Sequence, residues 1–475
     1  MSALGAAAHA ISPLDGRYAS KLQRLSAYFS EYALVRSRLQ VEVAHAFALD
    51  ALQPKAGPAG AKAPIQPLFS PLLPEEAARL RGAVSGFDAA AFAAVKAHEA
   101  NTKHDVKAVE YHLRAVAELR EPNRVHFGLT SEDVNNLAYS ANFLRFRDEQ
   151  QLPAIDALLR VLAREARAGA ALPFPARTHG QPATPTTAGK ELAVFASRLL
   201  RCRENIAAHV FFGKLNGASG THAALMQADP AADWRAHERA VVEGLGLRTN
   251  RITTQVEDHD AWARWFHETR LLTSVLVDLC RDVWLYISNG WIVQRIAAGE
   301  VGSSTMPHKV NPIRFENAEG NLELASALLA FLAEKLTRSR MQRDLSDSTV
   351  TRNIGVAMGH VILALDEITA GFGAISVNAL ACRAAVEGAP EVLAEPIQTV
   401  MRLSTAGDPY AELRDRTRGQ AVTAASLASF VSGLDLPADR KERLVALRPE
   451  TYLGDAAELA LEVAAEVERC IGVQP

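Results

Sequence analysis

Apolar residues recur at alternating steps of three and four through most of the middle of the chain, which is the period of an amphipathic helix. One such stripe consists of Leu192, Phe195, Leu199, Cys202 and Ile206. Either Thr186 or Thr187 can cap the start of this helix, because a threonine hydroxyl accepts a hydrogen bond from a free backbone N–H group. The spacing therefore predicts a long helix with one buried face.

The same period predicts three further long helices. A second stripe runs from Leu272 to Val293, and the third and fourth helices cover residues 321–336 and 353–372. The second helix would contain Gly290, which costs a helix roughly 1 kcal/mol relative to alanine and therefore indicates a close approach of another helix. Alternating β-branched runs bounded by turns are scarce. We therefore predict an all-α fold.

A chain of 475 residues is too long for one ordinary hydrophobic core. We predict three helical domains: an N-terminal domain over residues 1–120, a central bundle of long helices over 121–372, and a C-terminal domain over 373–475. Segment 54–74, which is rich in Pro, Gly and Ala, is predicted to be an exposed insertion in the first domain. One chain cannot bury all of the central apolar stripes, so the bundle is predicted to be shared between subunits.

Composition and charge exclude several classes of function. Lys and Arg total 51 against 54 Asp and Glu, so the chain lacks the basic field on which nucleic-acid binding depends. The four cysteines are far apart and no metal-ligand spacing occurs, which predicts reduced thiols and no metal site. We find no secretory signal and no uncharged apolar run long enough to cross a bilayer, so we predict a soluble cytoplasmic protein without a membrane partner.

Segment 302–312, with the sequence GSSTMPHKVNP, has no apolar period and carries several reactive side chains. Ser303 and Ser304 offer hydroxyls. Lys309 offers a cation that can bind an anion, and Asn311 offers a neutral donor. Its first residue is a glycine, which leaves the backbone free to adopt many conformations, and two prolines restrict the backbone from its middle to its end. A solvated turn is the alternative interpretation of such a run, but the pattern favours a reactive loop.

Three other positions carry candidate chemistry. Thr130 and Asp133 are spaced as a near capping box at a predicted helix start, where free N–H groups can also bind an anion. His179 lies on a predicted loop between prolines, and an imidazole titrates near neutrality, which suits proton transfer. His104 and Asp105 form a second candidate pair. The structural alternatives are simple helix capping for Thr130 and Asp133, a surface position for His179, and a local hydrogen bond for His104 and Asp105.

Segment 343–353 combines two guanidinium groups, Arg343 and Arg352, with several hydroxyls just ahead of the fourth long helix. Bidentate charged donors and hydroxyls near a helix N-terminus suit a phosphate group. A solvated, salt-bridged turn is the alternative. Near the N-terminus, Arg17 and Tyr18 supply another cation and an aromatic ring, which suit contacts with a phosphate and a base.

These segments together resemble a known group of enzymes. Segment 302–312 resembles the G-S-S-x-M-P-x-K-x-N-P signature of the fumarase/aspartase superfamily. Similarity to the adenylosuccinate lyase family of the long bacterial type is carried by PLDGRY from residue 13, KHDVKAVEY from residue 103, THGQPATP from residue 178, TTQ from residue 253 and RMQRDLSDST from residue 340. The resemblance extends over nearly the whole chain.

The resemblance implies a β-elimination that breaks a C–N bond. Members of that family cleave adenylosuccinate to AMP and fumarate, and the purine intermediate SAICAR to AICAR and fumarate. By resemblance, Ser303 removes the β-proton of the succinyl group and His179 protonates the departing nitrogen. Lys309 and Asn311 would stabilise the charge that develops on the carboxylate, and Glu316 would pair with His179. A free serine is a weak base, so the site must lower the pKa of its hydroxyl.

The resemblance also implies which residues hold the substrate. The phosphate is assigned to Arg17, Tyr18, Arg343, Ser348 and Arg352. The succinyl group is assigned to Thr130, Ser131 and Gln255. The remaining substrate-binding candidates are Lys103, His104, Asp105, Asn311, Asn317 and Thr349, and His104 is also a catalytic candidate. The family needs no metal or organic cofactor and is homotetrameric, with each site built from segments of three subunits.

Two alternatives remain open. Another lyase of the superfamily, such as argininosuccinate lyase, fumarase or aspartase, would share Ser303, Lys309 and the fold. The phosphate-type segment 343–352 argues against fumarase and aspartase, whose substrates lack a phosphate. A non-catalytic structural relative, of the kind found among lens crystallins, is disfavoured because Ser303, His179 and Lys309 occur together.

Overall fold

A computed structural model of the chain describes residues 8–55, 67–295, 306, 309–403, 407–417 and 422–472. The chain divides into two compact units, each built from three separate stretches of sequence. The first unit comprises Met1–Ala154, Cys202–Ser274 and Asn321–Leu363. The second unit comprises Ile155–Arg201, Val275–Gly320 and Ala364–Pro475. The division into three domains stays a prediction.

Helices make up nearly all of the regular structure in these described ranges. In chain order they are α1 (Ala19–Leu22), α2 (Ser26–Phe29), α3 (Glu31–Ala48), α4 (Pro74–Ser85), α5 (Ala89–Thr102), α6 (Asp105–Ala117), α7 (Ser131–Phe146), α8 (Leu152–Ala168), α9 (Ala188–Ala208), α10 (Ala223–Ala228), α11 (Trp234–Gly244), α12 (Asp260–Ser288), α13 (Ile313–Leu336), α14 (Ser346–Thr351), α15 (Ile354–Phe372), α16 (Ala379–Glu387), α17 (Ala394–Met401), α18 (Pro409–Thr417), α19 (Ala424–Ser432), α20 (Ala438–Ala446) and α21 (Ala456–Cys470). The predicted all-α fold is confirmed.

Strands in the described part of the chain form only short two-stranded sheets. In chain order they are β1 (Pro173–Thr178), β2 (Gln181–Thr187), β3 (Phe212–Gly213), β4 (Arg248–Thr249), β5 (Ile292–Gln294) and β6 (Ile375–Val377). Strands β1 and β2 pair antiparallel, as do β5 and β6, whereas β3 and β4 pair parallel. These sheets position loops and do not form a core layer.

The long helices follow the predicted stripes closely. In α9 the five apolar residues of the first stripe are all buried. Thr187 Oγ1 accepts a hydrogen bond from the backbone N–H of Lys190 at 3.1 Å, so the predicted threonine cap is confirmed at Thr187. The third helix, α13, begins earlier than predicted, at Ile313, and the fourth, α15, matches its prediction to within one residue at the start.

The second long helix is shorter than the sequence pattern predicted. Helix α12 ends at Ser288, and Gly290 has a φ of +72°, a left-handed conformation that glycine adopts without a steric penalty. Apart from its two chain neighbours, no described residue has an atom within 4 Å of the position that a Cβ would take there. The inferred close helix approach at Gly290 is therefore wrong, because this glycine serves a turn into β5.

A large aromatic cluster packs the second half of α7 against α12 in the first unit. The rings of Phe143 and Trp262 lie 5.0 Å apart edge to face, and both side chains are almost completely buried. The indole N–H of Trp262 donates to Ser140 Oγ at 2.9 Å, and that of Trp265 donates to Gln151 Oε1 at 2.9 Å. Both buried donors are satisfied, and they connect α12 to α7 through Ser140 and to the segment after α7 through Gln151.

Among the residues that the structure describes, one stretch, Ser346–Phe372, is long and apolar enough to cross a membrane by length and composition. Most of this stretch is buried inside the protein, as a core helix is. Its apolar character is therefore explained by packing.

Candidate functional site

The start of α7 is bound to a neighbouring loop through a buried carboxylate in the first unit. Asp133 Oδ2 accepts from the backbone N–H of Thr130 at 2.8 Å, which is one half of the predicted capping box. Its Oδ1 accepts from Lys214 Nζ at 2.8 Å and from the N–H of Asn216 at 3.0 Å. The side chains of Asp133 and Lys214 are both completely buried. This pair fixes the loop after β3 against the helix that carries Ser131.

Loss of the Lys214 cation is expected to destabilise the protein. In Lys214→Met, Asp133 would remain buried without its counter-charge, so we expect the free energy of unfolding to fall by about 3–5 kcal/mol. Urea unfolding at one fixed protein concentration measures this change. The matched control is Lys96→Met, because Lys96 pairs with Glu31 and Glu99 at the surface, where such pairs contribute at most about 1 kcal/mol. Equal losses in the two variants would contradict the structural role of Lys214.

The structure brings His104 to Ser131. His104 Nδ1 accepts from the backbone N–H of Lys107 at 3.2 Å at the start of α6. This bond leaves the proton on Nε2, which lies 3.4 Å from Ser131 Oγ. About half of the His104 side chain is exposed, so its outer face is free to meet a ligand. The pairing of two segments that the sequence analysis selected separately supports a shared site.

Asp105 lies between two arginines beside this pair. Arg38 Nη2 donates to Asp105 Oδ2 at 2.8 Å, and Arg352 Nη2 lies 3.6 Å from the same oxygen. Burial by itself would raise the pKa of Asp105, but the charge and hydrogen bond of Arg38 outweigh it, so the pKa of this carboxyl lies below its ordinary value. Asp105 is therefore ionised at neutral pH and holds both guanidinium groups.

Arg343 and its neighbours form the second half of the cluster. Arg343 Nη2 lies 2.8 Å from Glu132 Oε1, and Nη1 lies 3.5 Å from Gln255 Oε1. Arg343, Ser348 and Arg352 line one small pocket. Both arginines of segment 343–353 are thus paired with carboxylates, as the salt-bridged alternative predicted. The same arginines nevertheless converge with a hydroxyl, as the phosphate interpretation requires.

The N-terminal motif lies close to this pocket. Asp15 and Gly16 line a groove of about 760 Å³ together with Arg352. Arg17 is exposed and Tyr18 is half-buried. Lys103 has a φ of +54° at the end of α5, and Thr349 is exposed on α14. No contact between either of these last two side chains and the pocket is seen among the described residues, so their roles stay predictions.

In the second unit, His179 lies in a tight turn and not in an irregular loop. Thr178 pairs with Gln181, so His179 and Gly180 form a two-residue hairpin turn, with φ values of +53° and +77°. Arg177 Nη1 donates to the Gly180 carbonyl at 2.9 Å, and its guanidinium lies 5.5 Å from the ring centre of Trp291. The Arg177 side chain therefore connects the turn to Trp291, and the turn presents an exposed imidazole at its tip.

The exit of segment 302–312 is described from Lys309 onward, together with Met306, whereas Ser303 lies outside the described residues. Lys309 is exposed, and its backbone N–H donates to the Met306 carbonyl at 3.0 Å. Gln294 Nε2 donates to the Val310 carbonyl at 2.9 Å, which anchors the exit to β5. The predicted role of Ser303 as a base stays a prediction.

Glu316 and Asn317 follow in the first turn of α13. Glu316 is exposed, and its Oε1 accepts from the indole N–H of Trp284 at 3.1 Å. No contact between Glu316 and His179 occurs within the described part of this single chain, and their pairing stays a prediction. Asn317 is half-buried.

Two residues of this site, Lys214 and Arg38, were not predicted from the sequence. Each is a charged residue that is buried in the structure, with side-chain exposures of 0% and 4%. An arginine among the apolar positions of α3 was the one available signal, because a buried cation needs a specific partner. The described residues contain no group of three or more His, Cys, Asp or Glu that could hold a metal.

Comparison with known protein families gives two matches. A model described as lyase matches residues 16–325, and one described as adenylosuccinate lyase C-terminal matches residues 339–453. The chain is 42% identical to an adenylosuccinate lyase of Legionella pneumophila (strain Corby), over 95% of this chain and 98% of that protein. The chain belongs to the adenylosuccinate lyase family. This family lies in the fumarase/aspartase superfamily, so the resemblance to that superfamily is confirmed. The assignment of the protein as a lyase that acts on C–N bonds is confirmed as well.

Other relatives agree with this membership. Adenylosuccinate lyases of Vibrio cholerae and Escherichia coli (strain K12) are 44% and 42% identical, over 95% and 96% of this chain and 98% of each relative. Among solved structures, a 3-carboxy-cis,cis-muconate lactonizing enzyme from Pseudomonas putida has a TM-score of 0.73 at 22% identity, covering 94% of this chain and 97% of that one. This structural likeness concerns the fold alone.

Proposed function

We propose that the protein cleaves adenylosuccinate to AMP and fumarate, and SAICAR to AICAR and fumarate, in purine biosynthesis. Membership of the adenylosuccinate lyase family supports this proposal. The observation that carries it is the convergence of Arg343, Ser348 and Arg352 on one pocket next to the pair of His104 and Ser131. Arginines and a hydroxyl that line one pocket suit a phosphate, which argues against substrates of the superfamily that lack one.

In the proposed reaction, Ser303 removes the β-proton of the succinyl group. The electron pair of that C–H bond becomes the new double bond of fumarate, while the C–N bond breaks and its pair goes to the departing nitrogen. His179 donates a proton to this nitrogen. Because His179 lies at the exposed tip of a hairpin, its imidazole is accessible to a substrate.

Lys309 and Asn311 are proposed to stabilise the charge that develops on the substrate carboxylate after proton removal. Lys309 is exposed beside the anchored exit of segment 302–312, so its cation can approach a ligand. Thr130 and Ser131 would meet the succinyl group at the start of α7, where free N–H groups and the helix dipole favour an anion. Gln255 would join them, since its amide already contacts Arg343.

The active assembly is proposed to be a homotetramer whose sites combine segments of three subunits, located in the cytoplasm and independent of any cofactor. Large apolar side chains exposed on the two long helices α12 and α13 support association. They are Leu271, Trp284, Leu285, Ile313, Leu324 and Phe331, each between 42% and 56% exposed. Exposed apolar residues of this size along one pair of helices are typical of an interface with another subunit.

Turnover of purified protein tests the proposed function. We expect adenylosuccinate to disappear with equal formation of AMP and fumarate, which an ultraviolet assay and chromatography can follow. Argininosuccinate serves as the matched control, because it presents a succinyl group and a guanidino nitrogen but no phosphate. Absence of adenylosuccinate cleavage, or faster cleavage of argininosuccinate, would overturn the assignment. A protein without any lyase activity would instead favour the structural relative.

A further inference from the structure

Arg38 is a buried arginine that connects the two halves of the cluster in the first unit. It lies in α3, and its side chain is 4% exposed. A buried guanidinium is stable only when its donors are paired, because a charge without partners is costly to remove from water. The guanidinium of Arg38 has partners on two sides.

One arm of Arg38 reaches the carboxylate that holds Arg352. Nη2 of Arg38 donates to Asp105 Oδ2 at 2.8 Å, and Arg352 Nη2 lies 3.6 Å from this oxygen. About half of the Arg352 side chain is exposed. A long exposed side chain samples many rotamers, so its position depends on the fixed carboxylate beneath it.

The other side of the Arg38 guanidinium is connected, through Asn135, to the carboxylate that pairs with Arg343. Nε of Arg38 donates to Asn135 Oδ1 at 2.9 Å, and Asn135 Nδ2 donates to Glu132 Oε1 at 2.7 Å. The same Glu132 oxygen lies 2.8 Å from Arg343 Nη2. The side-chain amide of Asn135 thus links Arg38 to Glu132, because its oxygen accepts from Arg38 and its nitrogen donates to Glu132.

One buried donor of the cluster has no hydrogen-bond partner among the described residues. Within the described part of the chain, Nε of Arg343 is buried and has no hydrogen-bond partner. Arg38, Arg343, Ser348 and Arg352 all line the same pocket. Among the buried polar atoms of a folded protein an unpaired donor is uncommon, and a binding pocket is one place where it is expected.

We propose that Arg38 is a positioning residue that sets the spacing of Arg343 and Arg352 for a substrate phosphate, acting through Asp105 on one side and through Asn135 and Glu132 on the other. This inference rests on the proposed function. Arg38 does not need to touch the substrate, because a planar fork with fixed donors can hold two acceptors in one geometry. The two phosphate-binding arginines are then arranged before the substrate arrives, which lowers the entropy cost of binding.

The test compares two substrates that differ only in the phosphate. For Arg38→Met we expect kcat/KM for adenylosuccinate to fall about 10-fold to 100-fold, mainly through KM, as loss of a charged hydrogen bond does. For succinyladenosine, which lacks the phosphate, we expect a change of less than about 3-fold, since the spacing of the arginines is then irrelevant. Equal losses for both substrates would overturn the proposal and assign Arg38 a packing role.

Three further variants keep the test decisive. Arg36→Met is the matched control, because Arg36 lies exposed in the same helix and its Nε donates to the Val84 carbonyl at 3.4 Å, which is no part of the cluster. Asn135→Ala breaks the arm to Glu132 and should reproduce the phosphate-specific loss. Arg38→Lys keeps a cation for folding but cannot form both arms, so an intermediate phosphate-specific loss is expected even if Arg38→Met fails to fold. Wild-type behaviour of Arg38→Lys and Asn135→Ala with adenylosuccinate would refute the proposal.

Failure of the proposed function is distinguishable from failure of this inference. If the wild-type protein cleaves neither substrate, the proposed function fails. Calorimetry with AMP and adenosine then tests the spacing directly: a loss of AMP affinity in Arg38→Lys, with adenosine affinity unchanged, supports the positioning role. Unchanged AMP affinity in both Arg38→Lys and Asn135→Ala overturns it.

Discussion

Replacing Ser303 with alanine is expected to lower kcat for adenylosuccinate by about 10²-fold to 10⁴-fold, because the proposed base for the β-proton is then missing. The KM should change little, since Ser303 is proposed to act on the succinyl carbon and not on the phosphate. Steady-state kinetics, with the fumarate product followed in the ultraviolet, measures both quantities. This is one of the two largest effects that we expect in the protein.

Ser304→Ala is the matched control for this prediction. It removes a hydroxyl from the adjacent residue of the same segment and leaves Ser303 in place. We expect this variant to retain most of the wild-type rate. A large loss in Ser304→Ala together with near wild-type turnover in Ser303→Ala would transfer the role of base to the second hydroxyl.

His179→Asn is expected to lower kcat by a similar factor, about 10²-fold to 10⁴-fold, because the proposed proton donor to the departing nitrogen is lost. Asparagine is chosen for a structural reason. His179 has a φ of +53° in front of Gly180, and Asn-Gly is a preferred pair for a two-residue hairpin turn with positive φ at both positions. The hairpin should therefore form as before, so that any loss of activity reports on the imidazole. Steady-state kinetics and a thermal unfolding curve are the two measurements.

His267→Asn gives the corresponding control, because His267 is exposed on α12 and has no proposed role. We expect it to retain wild-type kinetics. Near wild-type turnover in His179→Asn would remove His179 from the mechanism. A lowered melting temperature in His179→Asn would contradict the assignment of the turn.

Much of the fold was predictable because helix formation follows a local pattern. The stripe that begins at Leu192 identified α9, and Thr187 caps it as the sequence indicated. The prediction failed at Gly290, where an apolar period continued past the true end of α12. Val293 keeps the spacing of the stripe but belongs to a strand, and periodicity alone does not separate a helix end from a short strand that follows it.

The candidate site was predictable in its parts but not in its connections. Sequence motifs selected His104, Ser131, Arg343 and Arg352 separately, each with a structural alternative. The structure joins them, since Ser131 lies beside His104 and both arginines line one pocket. It also revises the surroundings of His179, which lies in a hairpin turn where the sequence predicted a loop.

By itself, the sequence determined the helical class of the protein and the segments that carry its chemistry, because helical periodicity and reactive motifs are properties of neighbouring residues. Only the tertiary structure decided the partners of Arg38 and Lys214. Arg38 meets Asn135 across 97 residues of chain, and Lys214 meets Asp133 across 81. Such pairs depend on how α3, α7 and the loop after β3 pack together, and no local pattern encodes which buried charge will meet which carboxylate or amide.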